Sequence, residues 1–541
     1  MTPLPPNPPP APAARSARRG RVFLLACLVL SVAAAAASTA PAATAERPPN
    51  ILFVISDDQS WAHTGAEGCT WVKTPAFDRV AREGARFTSA FCGSPSCTPS
   101  RSIVLTGRRL WEIGEGGVLY GTLERAYPPF TYALEAAGYA LGWTGKGWGP
   151  GEWEKGGLPR HPLGREFNDR KHAPPPHAAI DPRDYAANLR DFLAARPAGS
   201  PFFFWLGATE PHRVYEAGAG LRAGKRLADV TVPPYWPDTD EVRSDLLDYA
   251  LEIEWLDAQL GRALAVLEAA GELERTLVVV TSDNGMPFPR AKVNLYDPGV
   301  RMPLAVRWPG KVPAGRTVTD FVSHAELAAT LLEAAGVARP ETLTGRSFWP
   351  VLAAARGGRV DATRDHVITA LERHTWCRPD GATYPIRALR TDGFLYIRNF
   401  APDRWPTGGP EFISSNKTPH GDVDGAPIKD FMERPENQRR FPREFALNYG
   451  KRPAEELYDV RADPHQVNNL ADDPALAATK ARLWAQLRGE LERSGDPRIA
   501  GRDPWQGYAY RQTVGFGATY NRTLSAAERD AAAGRGAHKP Q

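Results

Sequence analysis

Four apolar runs constrain this chain more than any other feature: NILFVI (50–55), YALGWTG (139–145), PFFFWLGA (201–208) and TLVVVTS (276–282). Short runs rich in Val, Ile, Leu and Phe, bounded by polar residues, read as strands buried on both faces. Helical patterns separate them. In TPAFDRVAREG, Thr74 is placed as cap, Pro75 at the first helical position and Gly84 as the stop. A second helix is predicted over 130–138, ending at Gly138, and a long amphipathic one over 244–270, ending at Gly271. The alternation predicts an α/β fold, a large mixed and mainly parallel sheet sandwiched by helices. In such sheets ligands bind beyond the carboxyl ends of the strands. Here those ends carry Asp57 and Asp58, Lys146, Glu210-Pro211-His212, and Asp283 with Asn284. They are expected to converge on one edge.

At 541 residues the chain is too long for one ordinary core. After about residue 365 the texture changes. TYPIRALRTDGFLYIRNF suggests a β-hairpin, a polar and Pro-rich stretch reads as an extended loop over 401–453, and a helix is expected near 473–493. The expected organisation is a signal peptide over 1–45, a catalytic α/β domain over 46–365, a smaller C-terminal α+β domain over 366–515, and a flexible tail over 516–541.

The signal-peptide reading rests on the basic run RSARRGR, the apolar VFLLACLVLSVAAAAA and the small residues of ASTAPAATA. It implies export to the periplasm or the extracellular space, with no stable membrane span. Arg15, Arg18, Arg19 and Arg21 lie in this segment and no acid precedes Glu46, so its removal takes the formal charge from +4 to neutral. Such a chain does not call for a nucleic-acid partner. Cys27 leaves with the signal, and the remaining Cys69, Cys92, Cys97 and Cys377 are too few for a disulfide scaffold.

Asp57, Asp58, Asp283 and Asn284 form an all-oxygen set, which suits a hard divalent cation such as calcium or magnesium and not zinc. Taken singly, the DD and DN pairs are ordinary turn residues. Their pairing on one sheet edge is what makes a metal site of them.

The most specific string is CTPSRSIVLTG, Cys97 to Gly107. It resembles the type I sulfatase signature, C-x-P-S-R followed by L-T-G, within the alkaline-phosphatase superfamily. The likeness extends to SDD at Asp57, GK at Lys146, EPH at His212, TSDNG at Asp283 and ELYDVRADP near the C-terminus. TGKGWGPG, EPHR, TSDNGMPFP and TYPIRALR look most like the N-sulfoglucosamine sulfohydrolase branch of that family. The resemblance implies that a separate maturation enzyme oxidises Cys97 to formylglycine. One hydroxyl of its hydrate attacks sulfur and the other later expels sulfate. It implies one calcium ion held by Asp57, Asp58, Asp283 and Asn284, with the modified Cys97 beside it. Arg101 then steadies the formylglycine hydroxyls, Lys146, His212 and Lys292 surround the sulfate, and His212 protonates the leaving atom. Charge development on that atom asks for such cations in any case.

One position departs from the family. A histidine usually stands four residues after the LTG glycine, and here that residue is Trp111. Either Trp111 walls the sugar site, with Glu112 or Glu115 supplying a base, or nothing replaces the histidine and the sulfated intermediate accumulates; the first is expected. The resemblance also offers His374 and Arg387 as substrate contacts, an arginine suiting a carboxylate or second sulfate. His161, His172 and His177 read as solvated loop residues. The expected substrate is a sulfated carbohydrate, N-sulfated or O-sulfated. The alternatives are a phosphodiesterase or phosphonate monoester hydrolase of the same superfamily, and an inactive glycan-binding relative.

Overall fold

The computed structural model describes residues 47–172, 179–413 and 418–511, together with Pro9 and the pair 522–523. The segment read as a signal peptide, His177 and most of the C-terminal tail lie outside the described residues.

The large sheet has eight strands: β1 (Asn50–Ser56), β2 (Ala85–Phe87), β3 (Ala140–Gly145), β4 (Arg165–Glu166), β5 (Phe202–Gly207), β6 (Thr276–Ser282), β7 (Leu304–Arg307) and β8 (Arg316–Val318). Their spatial order is β4-β3-β5-β1-β6-β7-β2-β8. Strands β3, β5, β1 and β6 run parallel, and β7 is antiparallel to both its neighbours. The four strands with polar ends are therefore adjacent and point the same way, as the apolar runs predict.

Alternation along β1 explains the layers. Ile51, Phe53 and Ile55 enter one core and Leu52 and Val54 the other. The first core is closed by Val104 and Leu105 of α2 (Cys97–Thr106) and by Leu327, Leu331 and Leu332 of α5 (Leu327–Ala334). The second is closed by Phe77 and Val80 of α1 (Pro75–Glu83), Leu189 and Phe192 of α3 (Tyr185–Ala195), and Leu256, Leu260, Leu264 and Leu267 of α4 (Asp240–Ala269). Each fully buried side chain of this kind stabilises the fold by about 1.5–3 kcal/mol.

Thr74 does not cap α1. Its hydroxyl accepts from Gly65, and the backbone N–H groups of Ala76 and Phe77 donate instead to Asp257, both at 2.8 Å. A carboxylate from α4, brought close only by folding, satisfies the donors that a local cap would have taken.

The second sheet is antiparallel, in the order β9 (His366–Leu371), β10 (Ile386–Thr391), β11 (Phe394–Asn399), β12 (Glu455–Asp459). The expected hairpin is β10–β11. Helix α6 (Ala477–Arg493) lays Leu483, Leu487 and Leu491, one per turn, on this sheet. Between β11 and β12 the sequence reading of an extended loop is corrected. Three short helices stand there, Pro427–Glu433, Pro435–Arg440 and Pro442–Tyr449. Each opens on a proline, whose fixed φ favours the first helical position where no N–H is needed. Ahead of them in the chain, Phe412–Ile413 pairs antiparallel with Arg522–Thr523.

Candidate active site

The strand ends are laced to one another by backbone hydrogen bonds. Asp57 N–H donates to Glu210 C=O at 3.0 Å, and Asp283 N–H to Ser56 C=O at 3.1 Å. Asp58 takes a left-handed backbone (φ 71°), which an aspartate tolerates, and its N–H donates to Asp283 Oδ1 at 3.0 Å. Glu210 stays under the sheet edge, where Tyr185 Oη donates to it at 2.8 Å and burial pushes its carboxyl up to about 7.

Helix α2 begins at Cys97, and all ten of its residues are buried. Ser96 before it is bonded to His374 Nδ1 at 2.8 Å. Cys97 and Arg101 are four residues apart, so they share a helix face. That face meets the strand ends. Cys97 Sγ lies 3.6 Å from Asp57 Oδ1. Arg101 Nε donates to Asp283 Oδ2 at 2.8 Å, and its Nη1 donates to the carbonyls of Lys146 (3.0 Å) and Gly147 (2.9 Å). Arg101 Nη2 stands 3.7 Å from Asp57 Oδ1 and has no hydrogen-bond partner among the described residues.

Two lysines complete the ring. Lys146 Nζ is 2.5 Å from Asp57 Oδ2. Lys292 Nζ is 2.7 Å from Asp58 Oδ2 and 3.2 Å from Asp424 Oδ2. His212 Nε2 is 3.7 Å from Asp58 Oδ2, and its Nδ1 is 2.6 Å from Arg213 C=O. A carbonyl can only accept, so Nδ1 carries hydrogen and Nε2 is the atom presented to the pocket.

Burial acts upward on the Asp57 carboxyl, yet Lys146, His212, Arg101 and Lys292 outweigh it and hold Asp57 well below the ordinary carboxylate range. Asp283 goes the other way. Burial, and then the neighbouring Asp57, pushes it up to about 6. Burial also pushes the Cys97 thiol far up, against the pull of Lys146 and Lys292. An un-ionised thiol is a poor nucleophile.

The residues fit a hard divalent cation. One oxygen each from Asp57 and Asp58 and the Cys97 sulfur lie within 4.8 Å of one another. Asn284 Nδ2 donates to Asp58 Oδ1 at 2.6 Å, which fixes the amide, while Asn284 Oδ1 is buried with no partner among the described residues. A buried acceptor left open beside crowded carboxylates suits a cation. Four carboxylates (Asp57, Asp58, Asp283, Asp424) face three fixed cations (Lys146, Lys292, Arg101). A divalent ion turns that deficit of one positive charge into an excess of one, the sign an anionic substrate needs.

The structure thus brings together Asp57, Asp58, Cys97, Arg101, Lys146, His212, Asp283, Asn284 and Lys292. Sequence reading missed Asp424, which shares Lys292 with Asp58 and groups with Asp58 and His212. GDVDG carries no signal of that role, since short Asp/Gly strings are turn material. His374 stands at the margin, bonded to Ser96. Burial pushes it down to about 4, so it is neutral near pH 7.

Two expected substrate contacts are corrected. Arg387 is fully buried and its five N–H groups are all used, by Asp496 and Glu372 carboxylates and by the carbonyls of Leu371 and Ile386. No donor remains for a ligand. Trp111 lies in the core with Ile103, Leu110 and Leu491, under the Arg387 guanidinium at 5.5 Å, and its Nε1–H donates to Ser494 at 3.1 Å. It presents no wall to a sugar. Glu112 binds Arg109 and Thr344, and Glu115 binds Thr122 and Arg511, so neither serves as a base beside Cys97. His161 is half-buried rather than a free loop residue. It stacks on Trp143 at 4.7 Å, and burial pushes it down to about 4. His172 lies beside Trp255 at 5.1 Å.

Arg387 therefore belongs to the fold. Arg387→Ala leaves Glu372 and Asp496 short of a buried partner and is expected to destabilise the protein by about 3–5 kcal/mol. Thermal or urea unfolding measures this. A variant of wild-type stability that has lost substrate affinity would return Arg387 to the binding site.

Comparison with known proteins bears on the family and the fold. Residues 49–337 match the family model described as Sulfatase. An ulvan-active sulfatase of Formosa agariphila is 26% identical over 487 residues, covering 82% of this chain and 74% of that protein. The N-sulphoglucosamine sulphohydrolase of Homo sapiens is 27% identical over 523 residues, covering 84% and 92%. A protein solved in complex with its substrate D-glucosamine-2-N,6-O-disulfate shares the fold, with a TM-score of 0.60 at 20% identity over 84% of this chain and 100% of that one.

Proposed function

The chain belongs to the sulfatase family, hydrolases of sulfate esters and N-sulfates, and we propose that it removes sulfate from sulfated sugars, with Cys97 as formylglycine and one calcium ion held by Asp57, Asp58, Asp283 and Asn284. One observation carries this reading. A buried, un-ionised Cys97 stands at the start of α2 among Asp57, Arg101, Lys146 and Lys292, where a thiol has no use but a modified side chain has both a metal and cations to work with. Formylglycine, made by a separate maturation enzyme, supplies the attacking oxygen. A calcium ion held by Asp57, Asp58, Asp283 and Asn284 would supply Lewis-acid chemistry, offsetting sulfate charge and lowering the pKa of the attacking hydroxyl.

The chain's own residues do the rest. Arg101, held by Asp283 and two carbonyls, keeps Nη2 free to hold the nucleophilic oxygen. Lys146 and Lys292 offset charge on the transferring group. Asp57 and Asp58 keep both lysines in place. His212 is set by the Arg213 carbonyl to present Nε2, from which it delivers a proton to the leaving oxygen or nitrogen.

The named relatives support a sugar substrate, and the human one supports an N-sulfated glucosamine. The basic and apolar run before residue 46 supports export. Among the described residues no helix is long and apolar enough to cross a membrane. Matured protein should release sulfate from N-sulfated or O-sulfated glucosamine, followed by ion chromatography. Turnover confined to phosphate or phosphonate esters would sink the proposal.

A further inference from the structure

The charged groups of the pocket lie at different depths. The side chains of Asp57, Asp58, Asp283 and Arg101 are at most 1% exposed, and that of Lys292 is 4% exposed. His212, Asp424 and Lys146 are 30%, 20% and 19% exposed. These three face the part of the substrate nearest the mouth, its leaving atom and the sugar behind it. Lys146 and the proton-delivering His212 are donors there, whereas a carboxylate can only accept. Asp424 Oδ2 accepts from Lys292 at 3.2 Å, and Oδ1 has no hydrogen-bond partner among the described residues.

Asp424 also stands beside the group that meets the leaving atom. A carboxylate oxygen of Asp424, one of Asp58 and a ring nitrogen of His212 lie within 4.8 Å of one another. His212 Nδ1 is taken by the Arg213 carbonyl, so Nε2 is the nitrogen that reaches substrate. An atom hydrogen-bonded to two others at about 2.9 Å, with a tetrahedral angle between the bonds, holds them about 4.7 Å apart. A leaving atom placed to take the His212 proton is therefore within reach of Asp424 as well. Lys292, between Asp58 and Asp424, offsets the charge that this carboxylate brings to an anionic substrate.

We infer that Asp424 is a specificity residue, selecting an N-sulfate over an O-sulfate by accepting the N–H of the scissile sulfamate. The inference rests on the proposal that the protein is a sugar sulfatase. The bridging nitrogen of a sulfamate carries a hydrogen, and the bridging oxygen of a sulfate ester carries only lone pairs. A carboxylate attracts the first and repels the second, and a site built to bond an N–H rejects the analogue that lacks it. Hydrolysis sharpens the difference. Breaking the S–N bond leaves its electron pair on nitrogen, which takes the His212 proton. Sulfamate anion and one water end as an ammonium and a sulfate dianion, so a cation forms beside Asp424. An alcohol leaving group gains no such charge.

N-sulfoglucosamine and glucose 2-O-sulfate differ only in the bridging N–H or O. Sulfate release from each by full matured protein gives a ratio of kcat/KM values. Wild-type protein is expected to favour the sulfamate at least about tenfold. Asp424→Ala frees Lys292 and slows both reactions, and the ratio itself should fall about tenfold. In Asp424→Asn, Lys292 claims the amide oxygen and turns the NH2 toward the leaving atom, so the ratio should fall at least as far. Thermal unfolding confirms that each variant folds. Titration calorimetry of Cys97→Ala protein, with and without Asp424→Ala, reads the same preference without turnover. A wild-type protein that does not prefer the sulfamate, or Asp424 variants that lose rate with the ratio unchanged, would overturn the inference and leave Asp424 a support for Lys292. Sulfate release from neither sugar refutes the catalytic reading, and the calorimetric preference then decides the role of Asp424 by itself.

Discussion

Cys97→Ala is expected to fold as the wild type does and to lose roughly five to six orders of magnitude in turnover, the scale seen when the nucleophile of a covalent-catalysis enzyme is deleted. The structural cost is small. Cys97 Sγ makes one weak contact, to Asp57 Oδ1 at 3.6 Å, and alanine suits the first turn of a buried helix. The catalytic cost is total, because the other hydroxyl that this turn of α2 brings to the strand ends, Ser100, is spent on the Asp283 carbonyl. Peptide mass spectrometry of the active wild-type protein supplies the second half of the result. The Cys97 peptide is expected as the aldehyde, or its hydrate, and protein expressed without a maturation enzyme should carry the thiol and be inactive. Burial holds that thiol un-ionised, so an unmodified Cys97 has no route to activity through the thiolate. Full turnover by protein whose Cys97 is entirely thiol would sink this mechanism.

Asp283→Asn is expected to cost at least about a thousandfold in turnover and to abolish calcium-dependent stabilisation. Asp283 is the most connected of the proposed ligands. It accepts from Arg101 Nε and from the backbone N–H groups of Asp58 (3.0 Å) and Asn284 (2.7 Å). Asparagine keeps the size and one acceptor but removes the charge that balances buried Arg101. In wild-type protein, calcium at a hundredfold excess over its dissociation constant contributes about 2.7 kcal/mol to stability. A chelator should therefore lower the unfolding temperature by a few degrees, with calcium restoring it. In Asp283→Asn neither addition should shift it. The same calcium shift in both proteins would place the ion elsewhere.

Much of this was legible in the sequence, for a physical reason in each case. The apolar runs announced the parallel strands because a strand buried on both faces has no place for a polar residue. Their polar ends announced the site because parallel strands finish on one edge. The spacing of Cys97 and Arg101 is a helical turn, and the oxygen-only set of Asp57, Asp58, Asp283 and Asn284 states its preference for a hard cation by composition. The helices over 427–449 were read as loop because proline marks both a break and a beginning.

Other features were fixed only when the second sheet closed on the first. Asp424 enters the pocket from a turn 132 residues after Lys292, and nothing local to GDVDG specifies that meeting. Arg387 and Trp111 look like ligand-binding residues in sequence. In the fold, α6 and its flanking loop supply Asp496 and Ser494, more than a hundred positions away, and consume their hydrogen-bonding capacity. A side chain's chemistry is written in its identity and its near neighbours. Whether that chemistry is open to substrate or already satisfied depends on which distant groups packing brings to it, and only the tertiary structure decides that.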